Sequence, residues 1–330
     1  MSTSPLRAAM VPVTRQMRAY FAPVDRASET PTVFDPGVSG MFPLVSPPAP
    51  WLDLGWIENF ERWYETPAGV VRSGARALPA TQFRGAIEAR VEFDFCQWGK
   101  LQMALAGGSE HMNVLAPVAG SKSAAPSGGT PAPAVAVLAG STAIELILGT
   151  GADTAFGVGS LIAVDVDYQQ QVGYVGSGIA AAYVGSAAAV KQDPNYVRRV
   201  TFNVGRVAEV TATTLMLAQP LLGGAPAAGA SAQQVVAFVD REGGSFFQEW
   251  SALFVVQEES GGRVCFYYPR LSAGSSAAKS TRENFTAIKN PLTAVSLRAS
   301  FLALPVVDTN DGQAAVCYRS YFPAAMAGVY

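Results

Sequence analysis

"GAIEARVEFDFCQWGKLQMALAGG", from Gly85 to Gly108, decides how this chain is read. From Ile87 to Phe95 the residue types alternate without a break. Ile87, Ala89, Val91, Phe93 and Phe95 face one way, and Glu88, Arg90, Glu92 and Asp94 the other. A period of two puts successive side chains on opposite faces, so the run predicts a half-buried strand. Trp98, Leu101, Met103, Ala104 and Leu105 follow at roughly helical spacing, and Gly107-Gly108 supplies a stop, which predicts a helix over about 97–106. Neither element carries evident chemistry.

Outward from that stretch the chain reads as predominantly β. A short helix or irregular segment fits Trp56–Tyr64, and strands fit about 69–78 and 84–97. The Pro/Gly/Ser/Ala-rich run Ala116–Pro133 predicts an exposed linker. Beyond Pro194, "YVRRVTFNVGRVAEVTATTLMLAQPL" alternates apolar and polar residues from Val200 through Leu217, as several short strands would. "FQEWSALFVVQEE" and "RVCFYYPRL", joined at Ser260-Gly261-Gly262, predict a hairpin. "LTAVSLRASFLALP" and "AAVCYRSYFP" add strands near the end.

Three regions follow. Residues 1–55 form a proline-rich extended arm, because seven prolines between 23 and 50 forbid continuous helix or central strand. The arm is rich in large apolar groups, Tyr20, Phe21, Phe34, Phe42 and Trp51 among them, so it is expected to pack on its own or a neighbouring subunit. Residues 56–154 and 241–330 form a β core, and 155–240 an inserted, small barrel-like β module.

Composition narrows the function. Of the 330 residues only 15% are charged, well below the usual share of about 25%. Heavy alanine use accounts for part of this; burial of the surface by copies of the same chain accounts for it more fully. The net charge is −2 with scattered Lys and Arg, which argues against a surface built to hold nucleic acid. The N-terminus lacks the apolar core of a secretory signal, and no run of about 18 strongly apolar residues offers a membrane helix. The expectation is a protein made in the cytoplasm and soluble until it assembles. Cys96, Cys265 and Cys317 are odd in number and without zinc spacing; buried free thiols are expected at Cys96 and Cys265, and no disulfide.

Motifs with possible chemistry are weak. His111 is the sole histidine, lacks a nucleophile-elbow motif, and reads as a turn residue. "GSGIAA" (Gly176–Ala181) mimics a dinucleotide-binding turn without a βαβ setting. Asp165 and Asp167 share a strand face but match no cation loop. Glu88, Glu92 and Asp94 lie along one strand and do not converge across a cleft as glycosidase carboxylates do. No catalytic residue, metal site or cofactor is expected.

The run "PPAPWLDLGWIENFERWYET", followed by "GARALPATQFRGAIEARVEFDFCQWGKLQMALAGGSEHMNVL", resembles the tail tube proteins of tailed bacteriophages. Asp53, Gly55, Trp56 and Ile57 match that family's "D-x-G-W-I" opening, Ile87–Phe95 its hairpin strand and Trp98–Leu105 its helix. The likeness covers about 45–115 and, more loosely, 247–322. It implies a β-sandwich or barrel core crossed by one short helix, and a long hairpin that joins those of neighbouring subunits into a barrel lining a channel. Rings, typically hexameric, stack into a tube in the virion tail. Other tail proteins (tape measure, terminator, baseplate or tip) become partners, and double-stranded DNA passes as cargo. Glu88, Arg90, Glu92 and Asp94 would then face the lumen, where an acidic wall gives DNA little to hold. The alternative places the strand near 70–78 there, with Arg72 and Arg76. The module at 155–240 exceeds what the core fold needs. The other readings are a capsid decoration, connector or baseplate protein, and a carbohydrate- or receptor-binding β module.

Overall fold

The structure, a computed structural model, describes residues 14–25, 28–39, 42–73, 78–116, 132–165, 196–241, 248–258, 261–273 and 297–322. The expected features at Gly176–Ala181, Asp167 and Arg76, and most of the 116–133 linker, lie outside these residues. The chain is mainly β. In order it runs β1 (Thr14–Pro23), α1 (Pro36–Ser39), β2 (Leu52–Glu65), β3 (Ala68–Ser73), β4 (Leu78–Arg84), β5 (Glu88–Phe95), α2 (Lys100–Gly107) and β6 (Glu110–Leu115). Then come β7 (Val135–Ala136), β8 (Glu145–Ile147), α3 (Ala152–Ala155), β9 (Leu161–Asp165), a π-helical turn (Arg198–Phe202), β10 (Val204–Val210), β11 (Thr214–Leu217) and β12 (Ser231–Arg241). The last third holds β13 (Glu249–Glu258), β14 (Arg263–Ala273), β15 (Leu297–Ala303), β16 (Val306–Val307), β17 (Ala314–Ala315) and β18 (Tyr318–Phe322).

The chain divides into two compact units. Unit 1 takes Met1–Val24, Pro31–Trp98 and Glu249–Tyr330; unit 2 takes Asp25–Thr30 and Gly99–Gln248. The inserted module therefore begins at Gly99 and not near 155. The reason is long-range: β6 pairs along β12, Leu115 opposite Val235 and Glu110 opposite Arg241, so a strand assigned to the core from sequence belongs to the insertion.

In unit 1 the strands follow the order β13-β1-β2-β5-β15-β14-β18, and β13 also pairs with β14. That extra pairing closes six of the seven strands into an antiparallel barrel. β14 shares its second edge between β15 at one end and β18 at the other. Closure pairs most of their edges, the outer edge of β2 beyond Ile57 being an exception among the described residues. The interior is aromatic: Phe93 packs against Phe95, Phe254 and Phe301, and Phe21 against Phe93, Phe254, Phe301 and Trp250. Every one of these rings is essentially without solvent contact.

The arm expected over 1–55 is not free. Its β1 lies inside the sheet between β13 and β2, so a segment read as extended and peripheral is a central strand. β1, β13 and β14 are buried on both faces, which explains "SALFVV" as a continuous apolar run. Phe21 and Phe254 fill the barrel. On the outer face Tyr20, Leu253, Val255, Cys265 and Tyr267 cluster with Phe34, Phe42 and Trp51 from the proline-rich segment. Tyr20 Oη also donates to the Leu44 carbonyl at 2.8 Å, and Tyr267 Oη to that of Thr32 at 2.8 Å. The five aromatics, expected to pack on their own or a neighbouring subunit, lie in this chain's own core.

Unit 2 has the strand order β6-β12-β9-β10-β11-β8, with β7 on β12. Leu138, just past β7, donates its amide to Ile147 of β8 at 2.7 Å. Its core is mainly aliphatic: Leu146, Ile162, Val164, Val207, Leu215 and Leu217, with Phe156 among them. The segment read as alternating from Val200 is helical through Phe202; the strand starts only at Val204. Helix α2 packs on β6 and β12 of this unit.

Candidate functional site

The "D-x-G-W-I" match is a turn within β2. Asp53 Oδ1 accepts the Gly55 amide at 2.9 Å, and Gly55 has φ of +85°, a left-handed conformation natural to glycine. Arg18 of β1 holds the same carboxylate, its Nε 2.9 Å from Oδ1 and a second guanidinium nitrogen on Oδ2, and its guanidinium lies 5.0 Å from the centre of the Trp56 ring. Here the β1–β2 register shifts, between Arg18 and Tyr20. The motif is a built bulge in β2, with pairing to β1 on both sides of it.

β5 keeps the expected alternation. Ala89, Val91, Phe93 and Phe95 fill the barrel, and Glu88 is exposed. The polar face is less open than expected. Arg298 of β15 reaches Glu92 at 3.0 Å, Asp94 at 3.5 Å and Glu61 at 3.7 Å, and Asn59 Nδ2 donates to Asp94 at 2.6 Å. Asp94 is left 8% exposed. Burial alone would lower the Arg298 pKa, but the hydrogen bond it donates to Glu92 and the charges of Asp94, Glu92 and Glu61 outweigh it and raise the value. Arg90 lies 5.5 Å from the centre of the Trp63 ring. The face is a charge-paired network with one exposed acid at its end, and not a plain acidic coat. Arg298 was legible as the one cation in "LRASFLA", a strand otherwise without charge.

The long hairpin is present and exceeds the barrel. β2 pairs with β5 from Ile57 opposite Phe95 out to Glu65 opposite Glu88. The Gly85 amide then donates to the Pro67 carbonyl at 2.6 Å, and β3 and β4 carry the ladder on from Ala68 opposite Arg84 to Ser73 opposite Leu78. β1 pairs with β2 only as far as Ile57. Among the described residues, the outer edge of β2 from Glu58 to Glu65 therefore has no strand partner, and β3 and β4 pair only with each other. On this projecting ladder Trp63 is 43% exposed, Tyr64 66%, Val70 47% and Val71 51%. Sequence reading missed the strand at Trp56–Tyr64 because Asn59, with φ of +50°, shifts the register between Glu58 and Glu61 and breaks the alternation.

Unit 1 also carries a groove of about 620 Å³, lined by Phe34, Pro36, Tyr267, Val307, Asp308 and Tyr318 among others. Tyr267 and Tyr318 stack with centroids 6.1 Å apart, and Tyr318 Oη donates to Asp308 at 3.1 Å.

The weak chemical motifs gain nothing from the fold. His111 lies in β6, not in a turn; it is buried, with Nε2 3.0 Å from Thr201 Oγ1. Asp165 is buried and paired with Arg198 at 3.2 Å and Asn203 at 3.2 Å. Among the described residues no group of three or more His, Cys, Asp or Glu could hold a metal. No helix among them is long and apolar enough to cross a membrane. All three cysteines are free thiols; Cys265 is buried with its pKa pushed up to about 12 by desolvation, whereas Cys96 is exposed, a correction caused by its place just past the end of β5. Comparison with protein-family models and with curated proteins finds no match.

Proposed function

We propose that this chain is a structural virion protein that assembles with copies of itself into stacked, hexameric rings, forming a phage tail tube through which DNA passes. The observation that carries the reading is the projecting ladder of β2–β5 and β3–β4. Among the described residues this strand edge has no partner; flanked by exposed Trp63, Tyr64, Val70 and Val71, such an edge is an aggregation hazard in a monomer. It ceases to be one when the edge of one copy pairs with the opposite edge of the next and the series closes. A heterologous contact of this kind generates rings, and the low charge content of the chain suits a surface largely covered by copies. In such a ring the Glu88 end of β5 contributes negative charge to the lumen, while Arg298 offsets Glu92 and Asp94, so the wall neither binds DNA strongly nor repels it along its whole length. Other tail proteins would meet the ring faces. A variant with residues 66–86 replaced by a two-residue turn keeps the barrel strands and removes the β3–β4 part of the ladder, with Val70 and Val71; sedimentation should show it monomeric at concentrations where the parent chain forms large assemblies.

A second reading, a carbohydrate- or receptor-binding β module, draws on the groove at Tyr267 and Tyr318, where stacked rings sit beside a carboxylate. Glycan-array binding that is lost in Tyr318→Ala would favour it.

A further inference from the structure

Unit 2 holds a half-buried lysine whose amine has no carboxylate partner among the described residues. Lys100 opens α2, and its Nζ donates to Asn113 Oδ1 at 2.5 Å and to the Val200 carbonyl. The same nitrogen lies 4.6 Å from the centre of the Phe238 ring, and Phe238 stands directly opposite Asn113 in the β12–β6 pairing. Asn113 has no solvent exposure. Among the described residues no carboxylate comes within ion-pair distance of this Nζ. Desolvation holds the Lys100 pKa well below its ordinary value. A lowered pKa makes the neutral, nucleophilic amine easier to reach than in a free lysine.

We propose that Lys100 and Asn113 become joined by an intramolecular isopeptide bond. The Nζ lone pair attacks Asn113 Cγ, and the carbonyl electrons move onto Oδ1. The tetrahedral centre then collapses and expels the side-chain nitrogen. The bond formed is Nζ–Cγ and the bond broken is Cγ–Nδ2. One proton leaves Nζ and one reaches the departing nitrogen, which exits as ammonia. Nothing is oxidised or reduced, and no co-reactant enters. His111 precedes Asn113 by two residues on the same face of β6, and burial holds its pKa well below the ordinary range. The product ties the first turn of α2 to the middle of β6, fixing the helix on its sheet. This inference is independent of the assembly reading.

Intact-mass spectrometry of the full-length folded protein tests it. The expected mass is one ammonia below that of the sequence, with a branched peptide joining Lys100 to Asn113 after digestion. Lys100→Arg keeps a cation and its hydrogen bonds but cannot be acylated in this way, and Asn113→Ala removes the electrophile; each should show its full sequence mass. A parent chain at full sequence mass after prolonged incubation, with folding verified by circular dichroism, would overturn the proposal. So would an ammonia deficit that persists in Lys100→Arg, since the loss would then lie elsewhere.

Discussion

Arg298 of β15 binds Glu92 of β5 across adjacent strands at 3.0 Å, and both side chains are largely withdrawn from water. The register fixes this contact: Arg298 stands opposite Asp94, and Ser300 opposite Glu92. One guanidinium thus serves three carboxylates on the wall of the unit 1 barrel.

Removing that cation leaves Asp94, nearly buried, with Asn59 as its principal remaining partner. Exposed pairs contribute under about 1 kcal/mol, and breaking a buried one costs about 3–5 kcal/mol. This network is intermediate, so Arg298→Met should cost about 1–3 kcal/mol in urea unfolding. The difference between parent and variant should shrink as salt is raised.

Gly55 is the backbone hinge of the "D-x-G-W-I" turn. A Cβ there would sit 2.6 Å from Gln97 Oε1, and its φ of +85° is unfavourable for any L-residue. Gln97 can swing aside, but the backbone strain stays. Gly55→Ala should therefore destabilise unit 1 by about 1–2 kcal/mol, measured as a lowered denaturant midpoint with an unchanged slope.

His111 gives stability a defined pH dependence. Its pKa is lowered in the folded chain by burial first and by the Lys100 charge second, while the unfolded chain titrates near 6.5. Below that pH the unfolded state binds a proton that the folded state refuses, so stability falls as pH drops through 6.5 and toward the lowered folded value. His111→Gln should flatten this segment of the stability–pH curve for the unfolding of unit 2, as followed by chemical denaturation at several pH values.

Trp63 and Val70 are exposed on the projecting ladder, so the monomer gains little from them. The double variant Trp63→Glu, Val70→Glu should unfold within about 0.5 kcal/mol of the parent, as surface substitutions do. If the ladder is the subunit contact, the same variant should fail to assemble. Sedimentation velocity and urea melts on one sample separate the two effects.

How much of this was legible in the sequence depends on how local the signal is. β5 announces itself because one face is barrel interior and the other is polar, so alternation survives over the whole strand. The hairpin at Ser260-Gly261-Gly262 is set by short-range turn chemistry and appears as β13–β14. β1 was hidden because its neighbours are proline-rich and both its faces are buried, which erases the period. β2 was hidden by the bulges at Gly55 and Asn59. The start of unit 2 could not be read because β6 finds its partner, β12, more than a hundred residues later. The candidate assembly edge was invisible for a related reason: an edge is defined by which strand stops beside it, and β1 stops pairing at Ile57.

The central claim is self-assembly through the ladder, and negative-stain electron microscopy of the purified full-length chain over a concentration series tests it most directly. The account predicts rings with a central channel that stack into hollow tubes as concentration rises, and their absence in the Trp63→Glu, Val70→Glu variant. Single particles of one-chain size at every concentration, or assemblies that form equally well in the variant, would contradict it.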